Sequence, residues 1–148
     1  MTKEEKITLE KLQAFTTTDF EQYRERGDEA RLRLSNAVIT ALSLPDCWLV
    51  DCEQLQEWCG LHPVHLRLSH QSAPQIPIDL ISPCYDSPYW YGRLWFEGAE
   101  SVVWFYSADS FDPEAIRVMM SRLDEYIRAG YIEEKELAAA LRMGGHAV

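Results

Sequence analysis

The sequence predicts an α+β fold: N-terminal helices, a small, mainly antiparallel sheet of about four or five strands centred on a hairpin over 89–106, and C-terminal helices packed on that sheet. Three observations carry this. Apolar residues recur at helical spacing through the first 43 residues and again beyond Asp112. Between them lies a passage of period-two alternation that holds five of the seven prolines, from Pro63 to Pro88. Ten of the seventeen aromatics fall between Tyr85 and Phe111.

Taken in order, Ile7, Leu9, Leu12 and Phe15 make a first amphipathic piece, and Thr18-Asp19 offers an N-cap for a second. Gly27-Asp28 breaks that second piece. Beyond it Ala30, Leu32, Leu34, Ala37, Val38 and Leu42 form a core-facing stripe that ends at Leu44-Pro45. The apolar run Cys47–Val50 suits a buried strand or a helix start, and Asp51–Cys59 reads as a short helix closed by Gly60. Val64–Ser69 alternates as a half-buried strand, with Val64, Leu66 and Leu68 on one face and His65, Arg67 and Ser69 on the other. Ile76–Ile81 is a further strand, expected at an edge because Pro77 cannot donate to a ladder. Tyr89–Phe96 and Val102–Tyr106 flank Glu97-Gly-Ala-Glu100 as a hairpin. Asp112-Pro-Glu starts a helix whose apolar face is Ile116, Met119, Met120, Leu123 and Ile127, ended by Ala129-Gly130. A last helix spans Ile132–Arg142, stopped by Gly144-Gly145.

A chain of 148 residues, 47% hydrophobic and 26% charged, is long enough for one domain over 1–148 to bury a core without disulfides or metal. Twenty-four acids against fourteen lysines and arginines give a net charge of -10, which repels phosphate polyanions and makes nucleic acid an unfavoured partner. The acidity is uneven: residues 1–35 sum to -1, 36–96 to -4 and 97–148 to -5. The charged N-terminus lacks a signal-like apolar run, and no window holds eighteen apolar residues in succession, so a cytoplasmic protein without membrane contact is expected. Cys47, Cys52, Cys59 and Cys84, spaced by 5, 7 and 25, match no redox or zinc signature and are expected as free thiols.

Few residues in the chain suggest chemistry. Asp51–His70 can be drawn as a helix-turn-helix with the hairpin as a wing, a DNA-binding regulator, but its second helix would offer Arg67 as its one cation and the hairpin only Arg93. Cys59, His62, His65 and His70 are ligand types for zinc at a spacing unlike known structural sites, so no metal or other cofactor is expected. Ser82-Pro-Cys-Tyr-Asp-Ser87 holds Cys84, Tyr85 and Asp86, the candidates for a thiol or hydrolytic enzyme. Phosphate-loop, dinucleotide and hydrolase signatures are missing.

The aromatic hairpin and the acids say more. One hairpin face carries Tyr89, Tyr91, Arg93 and Trp95, the composition of an interface hot spot, opposite Trp90, Leu94 and Phe96. Glu97 and Glu100 in its turn, with Asp124, Glu125, Glu133, Glu134 and Glu136, supply an acidic surface, diluted by an intrahelical Glu114–Arg117 pair. Together they predict a non-enzymatic module that binds a basic protein surface: an inhibitor or immunity-type protein, neutralising a toxin or serving a mobile element against a nucleic-acid-handling partner. A secretion-type chaperone shares the low charge and length, and stands as the alternative within the binding class.

Overall fold

A computed structural model describes residues 6–51, 62–94, 103–131 and 133–143. Three helices open the chain: α1 (Leu9–Ala14), α2 (Thr17–Glu25) and α3 (Asp28–Leu42). Five strands follow, β1 (Trp48–Val50), β2 (His65–His70), β3 (Ala73–Ile81), β4 (Trp90–Leu94) and β5 (Val103–Ala108). Two helices close it, α4 (Pro113–Arg128) and α5 (Glu134–Met143). The strands form one antiparallel sheet in the order β1-β2-β3-β4-β5. This is the expected α+β architecture. The segments 52–61 and 95–102 lie outside the described residues, and with them the expected helix over Asp51–Cys59 and the hairpin turn.

The helix boundaries follow from their caps. The N-cap of α2 is Thr16 rather than Thr18: its hydroxyl accepts from the Asp19 amide at 3.2 Å while the Asp19 carboxylate accepts from the Thr16 amide at 2.8 Å. Asp19 is therefore the third helical residue of a reciprocal capping box and not the cap itself. Gly27 separates α2 from α3 at φ 105°, a conformation that a side chain would strain. Asp112 caps α4 by accepting from the Ala115 amide at 3.1 Å, with Pro113 at the first turn. The expected α4 stripe of Ile116, Met119, Met120, Leu123 and Ile127 is buried, and α4 ends at Arg128.

Both faces of the sheet can be read from β2, whose burial alternates along its length. Leu66 and Leu68, with Ile78 and Leu80 of β3, Trp90 and Leu94 of β4 and Phe105 of β5, join Leu12, Phe20, Leu34, Val38, Leu123, Leu137 and Leu141 of the helices in one core. That is the inner face. Gly92 lets the Phe105 ring lie against the strand backbone, since a Cβ there would lie 2.6 Å from that ring. Arg117 of α4 ties the helical layer together by donating to the Ala41 and Leu42 carbonyls at the end of α3, at 3.2 and 3.1 Å. Those carbonyls otherwise lack helical partners.

Two sequence expectations are corrected. The strand with Pro77 is central rather than an edge: β3 is flanked by β2 and β4. Pro77 is tolerated because β4 pairs only with Ile78–Ile81 and because the register with β2 shifts between Leu68 and His70, leaving no ladder bond that Pro77 must donate. Residues 65–70, the recognition helix of the helix-turn-helix reading, are instead strand β2. The run at 47–50 resolves to the short strand β1.

Candidate functional site

The outer face of the sheet is built by register. Arg67 of β2 lies directly opposite Asp79 of β3, Asp79 opposite Arg93 of β4, and Arg93 opposite Trp104 of β5. One row thus crosses four strands. Asp79 is fully buried; Arg67 donates through Nε at 2.9 Å, Arg93 through Nε at 3.0 Å, and His65 Nε2 lies 3.2 Å away. Burial pushes the Asp79 carboxyl up, but the hydrogen bonds and charges of His65 and Arg67 outweigh it and hold the group well below the usual carboxylate range. Arg67 and Arg93 are the only lysine or arginine residues from 36 to 96. Both are paired with this buried carboxylate, which leaves the helix-turn-helix reading without the cations it needed.

Next to this row the face becomes aromatic. Tyr91 packs edge-on against Trp104 at 5.3 Å and near Tyr89 at 6.2 Å, and the Arg93 guanidinium lies 5.7 Å from the Trp104 ring centre. Tyr89 and Trp104 are exposed, at 43% and 36%. Behind them opens a cavity of about 500 Å³ lined by His62, Ile81, Cys84, Asp86, Ser87, Tyr91, Arg93, Trp104 and Tyr106. The Ser87 hydroxyl donates to the Tyr91 hydroxyl at 3.2 Å and fixes that ring at the rim. His62 is fastened to the Ser82 carbonyl through Nδ1, and burial lowers its tendency to take a proton. Cys84 is buried, in a tight bridge with Ser87, while neighbouring Tyr85 points out and donates to Glu25 at 3.1 Å. A buried thiol is a poor start for the thiol-enzyme reading.

A second cluster lies at the opposite end of the sheet, where Cys47, His70 and Asp124 bring their ligand atoms within 4.8 Å of one another beside a cavity of about 540 Å³. The residue types suit a transition metal. The hydrogen bonds do not: the Ser72 amide donates to His70 Nδ1 at 3.0 Å, which places the ring proton on Nε2, where it is donated to Asp124 at 2.7 Å. That proton occupies the position a metal would take. Burial and Asp124 also push the Cys47 thiol up, so it stays protonated. The histidines of the sequence-stretch 62–70 turn to three separate partners, Ser82, Asp79 and Asp124, and do not converge; Cys59 lies outside the described residues.

Of the expected partner-binding residues, the structure brings Tyr89, Tyr91 and Arg93 together on the outer face. Trp95, Glu97 and Glu100 lie outside the described residues. Glu125 on α4 and Glu133 and Glu136 around the start of α5 are exposed, and Glu134 opens α5. Asp124 is not a free surface acid: it joins His70 to Arg128 and is only 14% exposed. Arg93 is likewise engaged, by Asp79. The Glu114–Arg117 pair forms as expected, at 3.0 Å. Sequence reasoning missed Trp104, Arg67 and Asp79 as members of this face. The signal was present in β2 and β3, where alternation already set Arg67 and Asp79 apart from their apolar neighbours.

No helix among the described residues is long and apolar enough to cross a membrane. A family model described as "Plasmid SOS inhibition protein (PsiB)" matches residues 6–144 of the chain.

Proposed function

The chain belongs to the plasmid SOS inhibition protein family, PsiB, and from that premise we propose that it acts without catalysis, as a single cytoplasmic domain, by occupying a basic surface of a nucleic-acid-handling protein of the SOS response. The family match along nearly the whole chain is the observation that carries the inhibitory role. Charge supports the choice of partner: a net -10, with -5 of it in residues 97–148, attracts a basic protein surface and repels nucleic acid itself. The exposed Tyr89 and Trp104, with Tyr91 between them, supply aromatic anchors of the kind that dominate binding energy. A plasmid-borne inhibitor fits the mobile-element reading better than a secretion-type chaperone.

Kinetics separate the two contributions. With the chain expressed in host cells, induction of a DNA-damage reporter should fall, and the responsible partner can then be tested for binding by surface plasmon resonance. Changing Glu133, Glu134 and Glu136 together to glutamine should slow association and flatten its salt dependence while dissociation stays as in wild type. Truncating Tyr89, Tyr91 or Trp95 to alanine, in variants shown folded by their thermal transitions, should speed dissociation with a loss of about 2 kcal/mol at the residue that anchors. A reporter induced fully in the presence of the chain sinks the inhibitory reading, and folded variants that all bind as wild type does sink the surface assignment.

A further inference from the structure

We infer that the outer edge of β5 pairs with an extended, basic segment of the partner protein, which joins the sheet as a sixth strand; this rests on the reading above that the partner is a basic protein and names how the chain holds it.

β5 is the last strand in the order β1-β2-β3-β4-β5, so one side of it is paired with β4 and the other is an edge. Among the described residues, no backbone hydrogen bond outside the ladder with β4 reaches Val103–Ala108. Such an edge presents amides and carbonyls that another extended chain can complete. Sheets commonly blunt their edges by keeping them short or by charging them. The opposite edge follows that rule, since β1 has three residues. β5 does not: it has six, Val-Trp-Phe-Tyr-Ser-Ala, with no charged side chain and a composition that favours strands. Its one guard is a bulge at Phe105, where the register with β4 slips. A bulge turns an edge away from indiscriminate pairing, so the added segment has to match that slipped register.

Charge identifies what the segment carries. Residues 94–116 hold five acids, Glu97, Glu100, Asp109, Asp112 and Glu114, and no lysine or arginine. Residues 117–148 hold five charges of each sign and sum to zero. Half of the net -10 is thus placed in β5 and its two flanks, where Asp109, Asp112 and Glu114 are exposed. An uncharged strand bracketed by acids complements a segment with a neutral middle and lysines or arginines at its ends. A second copy of this chain would instead bring acids against acids. Trp104, 36% exposed, stands on β5 and offers an aromatic neighbour to the side chains of an added strand.

The probe is a synthetic peptide, Lys-Lys-Thr-Val-Thr-Val-Thr-Val-Lys-Lys, added to the full chain and followed by amide hydrogen exchange. At a concentration ten times its Kd it should slow exchange of the β5 amides that do not bond to β4 by about tenfold, and the same peptide with glutamates for lysines should not. Two further versions, N-methylated at alternate residues in the two possible frames, separate pairing from charge attraction: one should lose binding and the other keep it. In the chain, Glu97→Gln, Glu100→Gln and Asp109→Asn together, shown folded by a thermal transition, should weaken the basic peptide about tenfold at low salt. Unchanged β5 exchange at about 1 mM peptide overturns the inference, as do two N-methylated peptides that both bind like the parent. β5 protection that rises with protein concentration alone, with a dimer in sedimentation, would assign the edge to a second copy and overturn it too. The damage reporter reads the inhibitory role separately: a chain that fails to repress but takes up the basic peptide at β5 loses that role and keeps this edge assignment.

Discussion

Asp79, flanked by Ile78 and Leu80, and Asp124, flanked by Leu123 and Glu125, both fold into ion pairs, yet one ends inside the sheet face and the other at its margin. Asp79 has no exposed side-chain surface and two arginines and a histidine around it. Asp124 keeps 14% of its surface and shares itself between a buried histidine and an arginine that is two-thirds exposed. Both carboxyls are held below their ordinary range: burial opposes this in each, and hydrogen-bonded partners outweigh it. What separates them is how much of the interaction water can replace. Around Asp124, solvent can rehydrate Arg128 if the pair breaks. Around Asp79 it reaches the outer parts of Arg67 and Arg93 while the carboxylate itself stays closed to it.

Three measurements sharpen or break this comparison. The largest effect is expected for Asp79→Asn, which takes the carboxylate away from two partly exposed guanidinium groups and a histidine and should cost about 2–3 kcal/mol in denaturant unfolding. A loss below about 1 kcal/mol would mean that water reaches the carboxylate after all. Asp124→Asn keeps an acceptor for His70 and loses mainly the exposed arginine, so about 1–2 kcal/mol is expected from the same experiment. Equal losses in the two variants would erase the distinction between them.

Acid titration gives the smallest effect. In each case the folded carboxyl has a lower affinity for protons than the unfolded one, whose pKa is about 3.9. The stability they contribute is therefore whole above about pH 5 and is lost as the pH falls through the folded values. Stability measured between about pH 5 and 2 should fall less steeply in Asp79→Asn than in wild type, with Asp124→Asn between them. A wild-type slope in Asp79→Asn would show that another group carries the acid sensitivity.

Local signals made most of the fold legible. The Asp112-Pro113 start of α4, the alternation in β2 and the aromatic arms of β4 and β5 are each settled by residues a few positions apart. Pro77 misled because the register shift that excuses it involves Leu68 and His70, residues brought opposite only by folding. The candidate site was half legible for the same reason. Tyr89, Tyr91 and Arg93 could be placed on one face by counting in twos, but a lone aspartate in an alternating strand reads as solvent-facing, and nothing nearby in sequence announces that Arg67 and Arg93 will close over it. Asp124 is expected on the acidic binding surface because nothing near it in sequence announces its histidine, which lies 54 residues away. Trp104 belongs to the face through its register with Arg93, across a bulge that sequence spacing does not reveal.

The uninterrupted strand order has a kinetic consequence. Every strand pairs with its neighbour in the chain, so the sheet can grow by adding one strand at a time, and no pairing has to wait for a distant segment to arrive. Loop-closure entropy is spent in small instalments, and rates of folding rise as contacts become more local. The row from Arg67 to Trp104 is then completed in the order of synthesis: Arg67 meets Asp79 first, Arg93 joins, and Trp104 arrives last. The aromatic surface proposed to bind the partner is therefore finished only after the ion pairs of Asp79 are in place.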